Sequence, residues 1–238
     1  MSKNMFITVE VWRADGEIEW LKYDDEIYRF DLSKDATAGM VDMMIAALAS
    51  YNDIGGKHKE FVLNTLIKKM KNRKLIIRGG IHFQDDSTHI FNGCCCGMEE
   101  WSLIVDMLKA NMSPWMGHDP DVCCSEKEGI YHVSNVQLVN TGRIHYHENA
   151  DGEIVEYNPG IPIEEALADE RCKVISYEKE LFMELLEKLE EDFNNFVEYP
   201  LKERLLQLTS EKTARAFMEA FCTCFGRERG QKSNSSAL

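Results

Sequence analysis

The sequence lacks any apolar run near the roughly 20 residues that a membrane-crossing helix needs, and its opening, MSKNMFITVEVW, holds one lysine and no signal-type apolar stretch. Neither a membrane span nor a cleaved leader is therefore expected, and the chain reads as cytoplasmic. It is also short of basic residues: 27 Lys and Arg stand against 41 Asp and Glu, a formal charge of −14. Phosphate backbones are gripped by clustered Lys and Arg, so nucleic acid is not an expected partner, whereas a basic protein is. There is no Cys-x2-Cys knuckle, no internal repeat and no long linker.

What the chain does have is size and an apolar fraction. Its 238 residues, 44% hydrophobic and 29% charged, can bury the core of one large domain or two small ones. It has eight cysteines, and five of them, Cys94, Cys95, Cys96, Cys123 and Cys124, crowd into 31 residues. A disulfide framework would spread them through a short secreted chain, so free thiols with a local purpose are the expectation.

The hydrophobic pattern predicts an α+β fold. MFITVEVW reads as a strand, ADG as a turn and EIEWLKY as the returning strand of an N-terminal β-hairpin. A helix follows, capped by Ser33 or Asp35 and striped by Met40, Met44, Ala47, Leu48 and Tyr51. The next helix presents Phe61, Leu63, Leu66, Ile67 and Met70. KLIIRGGIHFQDD and THIF read as short strands leading into a helix with Trp101, Ile104, Val105 and Leu108 on one face. GIYHVSNVQLV, RIHYHE and IVEY suggest further strands. Beyond them Leu181, Leu185, Leu189 and Phe193 mark a long helix that Pro200 should end or kink. Its outer face is acidic: residues 180 to 203 carry eight Asp or Glu against two Lys. A last helix is defined by Ala214, Phe217, Met218, Phe221 and Phe225. We expect an α+β body over residues 1–158, a mostly helical C-terminal extension over 159–226 packed on it, and a disordered tail over 227–238, with a single domain as the alternative division.

Two stretches carry distinctive chemistry. FNGCCCGMEEW sets Cys94, Cys95 and Cys96 between two glycines, immediately before a helix whose first turn holds Glu99 and Glu100. A helix start favours thiolate, but the acids oppose it. SPWMGHDP joins two stiffening prolines to Trp115, Gly117, His118 and Asp119. Thiolates and imidazole suit zinc, so Cys94, Cys96, His118, Cys123 and Cys124 form a candidate ligand set. Against that, adjacent cysteines seldom point at one ion, and small thiols commonly just pack at a strand-to-helix junction. His145 and His147 share one strand face, an arrangement that can ligate metal but usually belongs to ordinary strand histidines. Nucleophilic catalysis needs a base near a thiol; His89 and His118 qualify only by type, and no catalytic residue is assigned.

Taken together, GCCCGMEEW, PWMGHDP and the later ISYEKELFMELLEKLEEDFNNF resemble a family of bacterial proteins carrying a Gly-Cys-Cys-Cys-Gly-x-Glu-x-Trp motif, a Pro-Trp-x-Gly-His-Asp-Pro motif and an acidic amphipathic helix. The resemblance spans about Phe91 to Phe196. That family has no established activity, so the resemblance brings no catalytic residues with it.

Three functional classes follow from the residues. The first is a non-enzymatic interaction protein, such as an immunity-type protein that covers a basic partner, with Trp101, Trp115, His118 and Asp119 as the binding surface. The second is a zinc-binding protein built on the Cys/His set above. The third is a thiol enzyme. The two motifs are expected to meet, and that junction is where a site is sought.

Overall fold

The computed structural model describes residues 2–11, 18–21, 28–139, 145–148, 154–157 and 160–227. The protein is α+β, built from antiparallel sheets and helices, with a helical C-terminal part. Among the described residues no helix is long and apolar enough to cross a membrane. The chain divides into two units. One comprises Met1–Glu10, Arg29–Ser33 and Ile77–Asp192, and the other Val11–Tyr28, Lys34–Ile76 and Phe193–Leu238.

The first unit begins with β1 (Asn4–Glu10), which alternates so that Met5, Ile7 and Val9 are buried. It pairs antiparallel with β2 (Arg29–Asp31) on one side and β3 (Gly79–Gln84) on the other. A short β4 (His89–Ile90) adds to β3, giving the order β2-β1-β3-β4. The turn expected at Ala14–Gly16 lies outside the described residues. Within the stretch read as its returning strand, Ile18–Leu21 form a turn, with Leu21 N donating to Ile18 O at 2.9 Å.

After β4 come a 3-10 turn (Met98–Glu100) and α3 (Trp101–Lys109); α1 (Ala38–Tyr51) and α2 (Lys59–Lys71) of the other unit lie between β2 and β3 in the chain. The face expected of α3 is the buried one: Trp101, Ile104, Val105 and Leu108. A second antiparallel sheet, β5 (Cys123–Lys127), β6 (Ile130–Ser134) and β9 (Val174–Glu178), follows in the order β5-β6-β9. β7 (His145–Glu148) and β8 (Ile154–Tyr157) form a two-stranded ribbon, and α4 spans Ile163–Ala168. The start of α5 (Lys179–Phe196) closes this unit, with Phe182 stacked on Tyr131 at 4.2 Å between ring centres. Tyr177 donates its hydroxyl to Asn4 O at 3.3 Å, tying the two larger sheets together.

The second unit is helical. Its α1 (Ala38–Tyr51) is capped not by Ser33 or Asp35 but by Thr37, whose hydroxyl accepts from Met40 N at 3.3 Å. In α2 (Lys59–Lys71) the buried face runs through Val62, Leu63, Leu66, Ile67 and Met70; Phe61, expected inside, is 61% exposed. Pro200 sits in a π turn (Val197–Leu201) that leads straight into α6 (Lys202–Leu208), so it widens the helix rather than ending it. Such a turn tolerates the missing N–H that an ordinary helix interior would not. The final helix α7 (Glu211–Phe225) buries Ala214, Phe217, Ala220, Phe221 and Phe225.

Candidate functional site

The two motif stretches meet in the first unit, and glycine is what lets them. Gly93 N donates to Met116 O at 2.6 Å, and Cys94 N donates to Asp119 O at 3.2 Å. A Cβ on Gly93 would lie 2.5 Å from Pro120 O and 2.7 Å from His118 N. Gly117 has a φ of +102° and would place its own Cβ 2.5 Å from the Gly93 backbone. Two main chains therefore touch at a point where neither can carry a side chain. The Asp119–Pro120 peptide is cis.

This contact lays His118 across the turn that holds the first two cysteines. Cys94 Sγ and Cys95 Sγ lie 3.4 Å apart, and His118 Nδ1 lies 3.4 Å from Cys95 Sγ. All three donor atoms fall within 4.8 Å of one another. Cys95 and His118 are exposed and Cys94 is half-buried. Trp115, 43% exposed, meets the His118 ring edge-on at 5.2 Å between centres.

The third cysteine of the run turns the other way. Cys96 is buried, and its sulfur accepts from Asn92 Nδ2 at 2.8 Å. Burial pushes its thiol up to about 12, and the charges of Glu100 and Glu99 add to that. Glu99 is itself held above the usual carboxylate range, chiefly by burial. The Cys95 thiol is raised as well, first by its hydrogen bond with Cys94, while the Arg78 charge opposes the shift.

The other residues picked out in the sequence lie elsewhere. Cys123 donates to Val136 O at 3.1 Å and its sulfur accepts from Leu138 N at 3.2 Å, within a small apolar cluster that includes Leu138, Ile163 and Ala166. Cys124 is buried on β5, its N–H donating to Ser113 Oγ at 3.0 Å. Trp101 is fully buried and serves the core of α3 rather than a surface. Asp119 is exposed and contributes its main-chain carbonyl to the turn. Of the five ligands in the candidate set, Cys94 and His118 are brought together. Cys95, which that set left out, joins them. The signal that would have found it is the turn: a strand alternates its side chains and a helix fans them, but a tight turn can place neighbours side by side.

The residues fit a soft, tetrahedral cation. Around zinc, with bonds of about 2.3 Å to sulfur and about 2.0–2.1 Å to nitrogen, tetrahedral edges come to roughly 3.8 Å and 3.6 Å. Two of the three edges are 3.4 Å and the third is within 4.8 Å, so side-chain adjustments of about 1 Å or less reach them. Three ligands leave a fourth position to solvent, the pattern of open rather than closed zinc sites. No protein-family model matches this chain, nor does any curated protein or solved structure.

Proposed function

We propose that this is a metal-binding protein that takes up a thiophilic divalent cation, zinc by preference, at Cys94, Cys95 and His118. The observation that carries the reading is the convergence of two sulfurs and one imidazole nitrogen within 4.8 Å on an accessible surface. Hard cations such as calcium or magnesium would want oxygen donors instead. Binding displaces thiol protons, since the ligand is the thiolate. A bound cation would supply Lewis acidity at the open position; the chain's own groups hold it, orient it through the Gly93–Gly117 contact and flank it with Trp115. The raised thiol of buried Cys96 speaks against that residue as the nucleophile of the thiol-enzyme alternative.

Cobalt(II) titration of the reduced, untagged chain tests this. One equivalent should produce sulfur-to-cobalt charge transfer and tetrahedral visible bands, both removed by added zinc. Cys95→Ser and His118→Ala should abolish the tetrahedral signal while Cys123→Ser keeps it. A wild-type protein that binds no cobalt and carries no zinc after chelator-free purification sinks the reading.

A second reading, an interaction protein for a basic partner, is favoured by one feature of α5. Glu180, Glu184, Glu187 and Glu191 are all exposed and recur at helical spacing, so they form a row of like charge. Such neighbours cost about 0.2–0.5 kcal/mol per pair, a cost without return unless something basic meets them. Replacing Glu184, Glu187 and Glu191 with Gln should leave the helix intact while weakening, in a salt-dependent way, association with the products of neighbouring genes. Absence of any such association in the wild type counts against it.

A further inference from the structure

A different cluster, on the first sheet of the same unit, is left unexplained by the metal reading. His82 on β3 is 4% exposed, and its Nδ1 lies 3.1 Å from both Oδ1 and Oδ2 of Asp31 on β2. Its other nitrogen, Nε2, lies 3.0 Å from Nδ1 of His89 on β4, and His89 is exposed. Three strands thus hold a carboxylate, a buried imidazole and a surface imidazole in one hydrogen-bonded line.

The protons in that line are set by who can donate. An ionised carboxylate only accepts, so His82 Nδ1 carries hydrogen. With that ring neutral, its Nε2 offers a lone pair to which His89 donates from Nδ1, the arrangement the inference below requires. In that arrangement the nitrogen of His89 left outside the line is Nε2, on an exposed residue. This is the logic of a nucleophile whose proton is taken by a base that a carboxylate orients, with imidazole in the place usually held by a hydroxyl or thiol.

The neighbours select the kind of electrophile. Phe91 stacks on His82 at 4.1 Å and lies nearly parallel to the His89 ring at 6.2 Å. The Arg29 guanidinium covers Phe91 at 4.0 Å, and its charge is met by Glu10 at 2.8 Å. On a chain of net charge −14, with the Arg29 charge already met by Glu10, an uncharged acyl group suits this site better than a phosphate.

We infer that His89 is the nucleophile of a second site, positioned by His82 and Asp31, that accepts acyl groups from neutral activated esters. In the step, His89 Nε2 bonds to the acyl carbon, the ester C–O bond breaks and the alkoxide departs. The His89 Nδ1 proton passes to His82 Nε2, where Asp31 stabilises the resulting imidazolium, and the alkoxide leaves as the anion. Water then cleaves the acyl–nitrogen bond and adds its hydroxyl to the acyl group to give the acid; His82 returns its proton to His89 Nδ1, and the remaining proton of water passes to solvent.

The test uses the full chain in a Cys94→Ser/Cys95→Ser background, so that acylation of those thiols does not compete. p-Nitrophenyl acetate is the probe and nitrophenolate release the readout. His89→Ala should lower the second-order rate constant by at least ~10-fold, the low side of what positioned proton transfer provides. Asp31→Asn keeps the shape of the chain and removes its charge; it should lower the rate several-fold with the fold intact by amide NMR. Long-range imidazole nitrogen–proton spectra of the unmutated chain should show neutral His89 as the Nδ1–H tautomer, the less common form of a free histidine. An unchanged rate in His89→Ala, or a His89 carrying its proton on Nε2, overturns the inference. Because no metal enters this test, its failure is separate from failure of the metal reading.

Discussion

Gly93 and Gly117 meet backbone to backbone, close enough that a Cβ on either would lie 2.5 Å or so from main-chain atoms of the facing segment. That single contact registers the cysteine turn against the His118 loop, and it couples stability to the candidate metal site.

Gly93→Ala should therefore cost about 1–3 kcal/mol in urea unfolding, because the atoms it meets belong to backbone that can move only with its segment. Gly117→Ala adds a side chain at a φ of +102° and should cost no less. Both should weaken the cobalt signal while leaving its ligands in place. Gly55→Ala is the control: a Cβ there meets nothing within 4 Å. A change within about 0.5 kcal/mol is expected there.

How much of this was legible in the sequence depends on which rule governs each residue. The α3 face, Trp101, Ile104, Val105 and Leu108, follows from helical spacing, and all four are buried. In α2 the same rule placed Phe61 inside, because a bulky aromatic outweighs a valine in any reading of periodicity. The backbone instead turns Val62 inward. The cap at Thr37 was hidden among competitors, since Ser33 and Asp35 have equal capping chemistry and only the point where the chain starts to coil decides. The meeting of the two motifs was expected from their joint occurrence, and the contact between Gly93 and Gly117 is what makes it. The membership of the cluster was not, because Cys94 and Cys95 sit in a turn, where no periodicity assigns faces, while Cys96 is claimed by Asn92 four residues back.

His132 gives the protein an acid-side weakness. It is 8% exposed on β6, its Nδ1 is 2.8 Å from Ser176 Oγ, and burial, then the Lys127 charge, holds its pKa below the ordinary 6.5. The unfolded chain therefore binds a proton more readily than the folded one. Stability from this group is complete above pH 6.5 and falls as pH drops through the lowered folded value. Urea midpoints measured from pH 7.5 down to about 5 should decline, and His132→Asn should flatten that slope whatever it does to stability at neutral pH.

In the helical unit the polar feature with most at stake is the pair Asp42–Arg204. Arg204 donates from Nε and from a terminal nitrogen to the two carboxylate oxygens, each at 2.7 Å, and Asp42 is 1% exposed. Desolvating both ions offsets much of their attraction, so the intact pair adds little net stability. Breaking it is another matter. Arg204→Met leaves a carboxylate inside without its fork and should cost about 3–5 kcal/mol. Adding Asp42→Leu should recover most of that loss; if the double variant is no more stable than the single, the pair is not the source of the cost.

Phe221 tests where the apolar weight of that unit lies. It is fully buried, with Phe225 at 4.9 Å, Phe193 at 5.8 Å, Phe196 at 6.2 Å and Phe217 at 6.5 Å between ring centres. Its neighbours are themselves large and held by packing, so the space left by Phe221→Ala cannot collapse, and a loss of about 3–5 kcal/mol is expected. Phe221→Leu keeps most of the volume and should cost less. Phe61→Ala is the counterpart, since its ring is 61% in solvent and truncating it should move stability by no more than about 0.5 kcal/mol. The contrast discriminates between two phases of α2. A costly Phe61→Ala together with a mild Val62→Ala would rotate that helix by one residue, and with it the register of every buried position from Val62 to Met70.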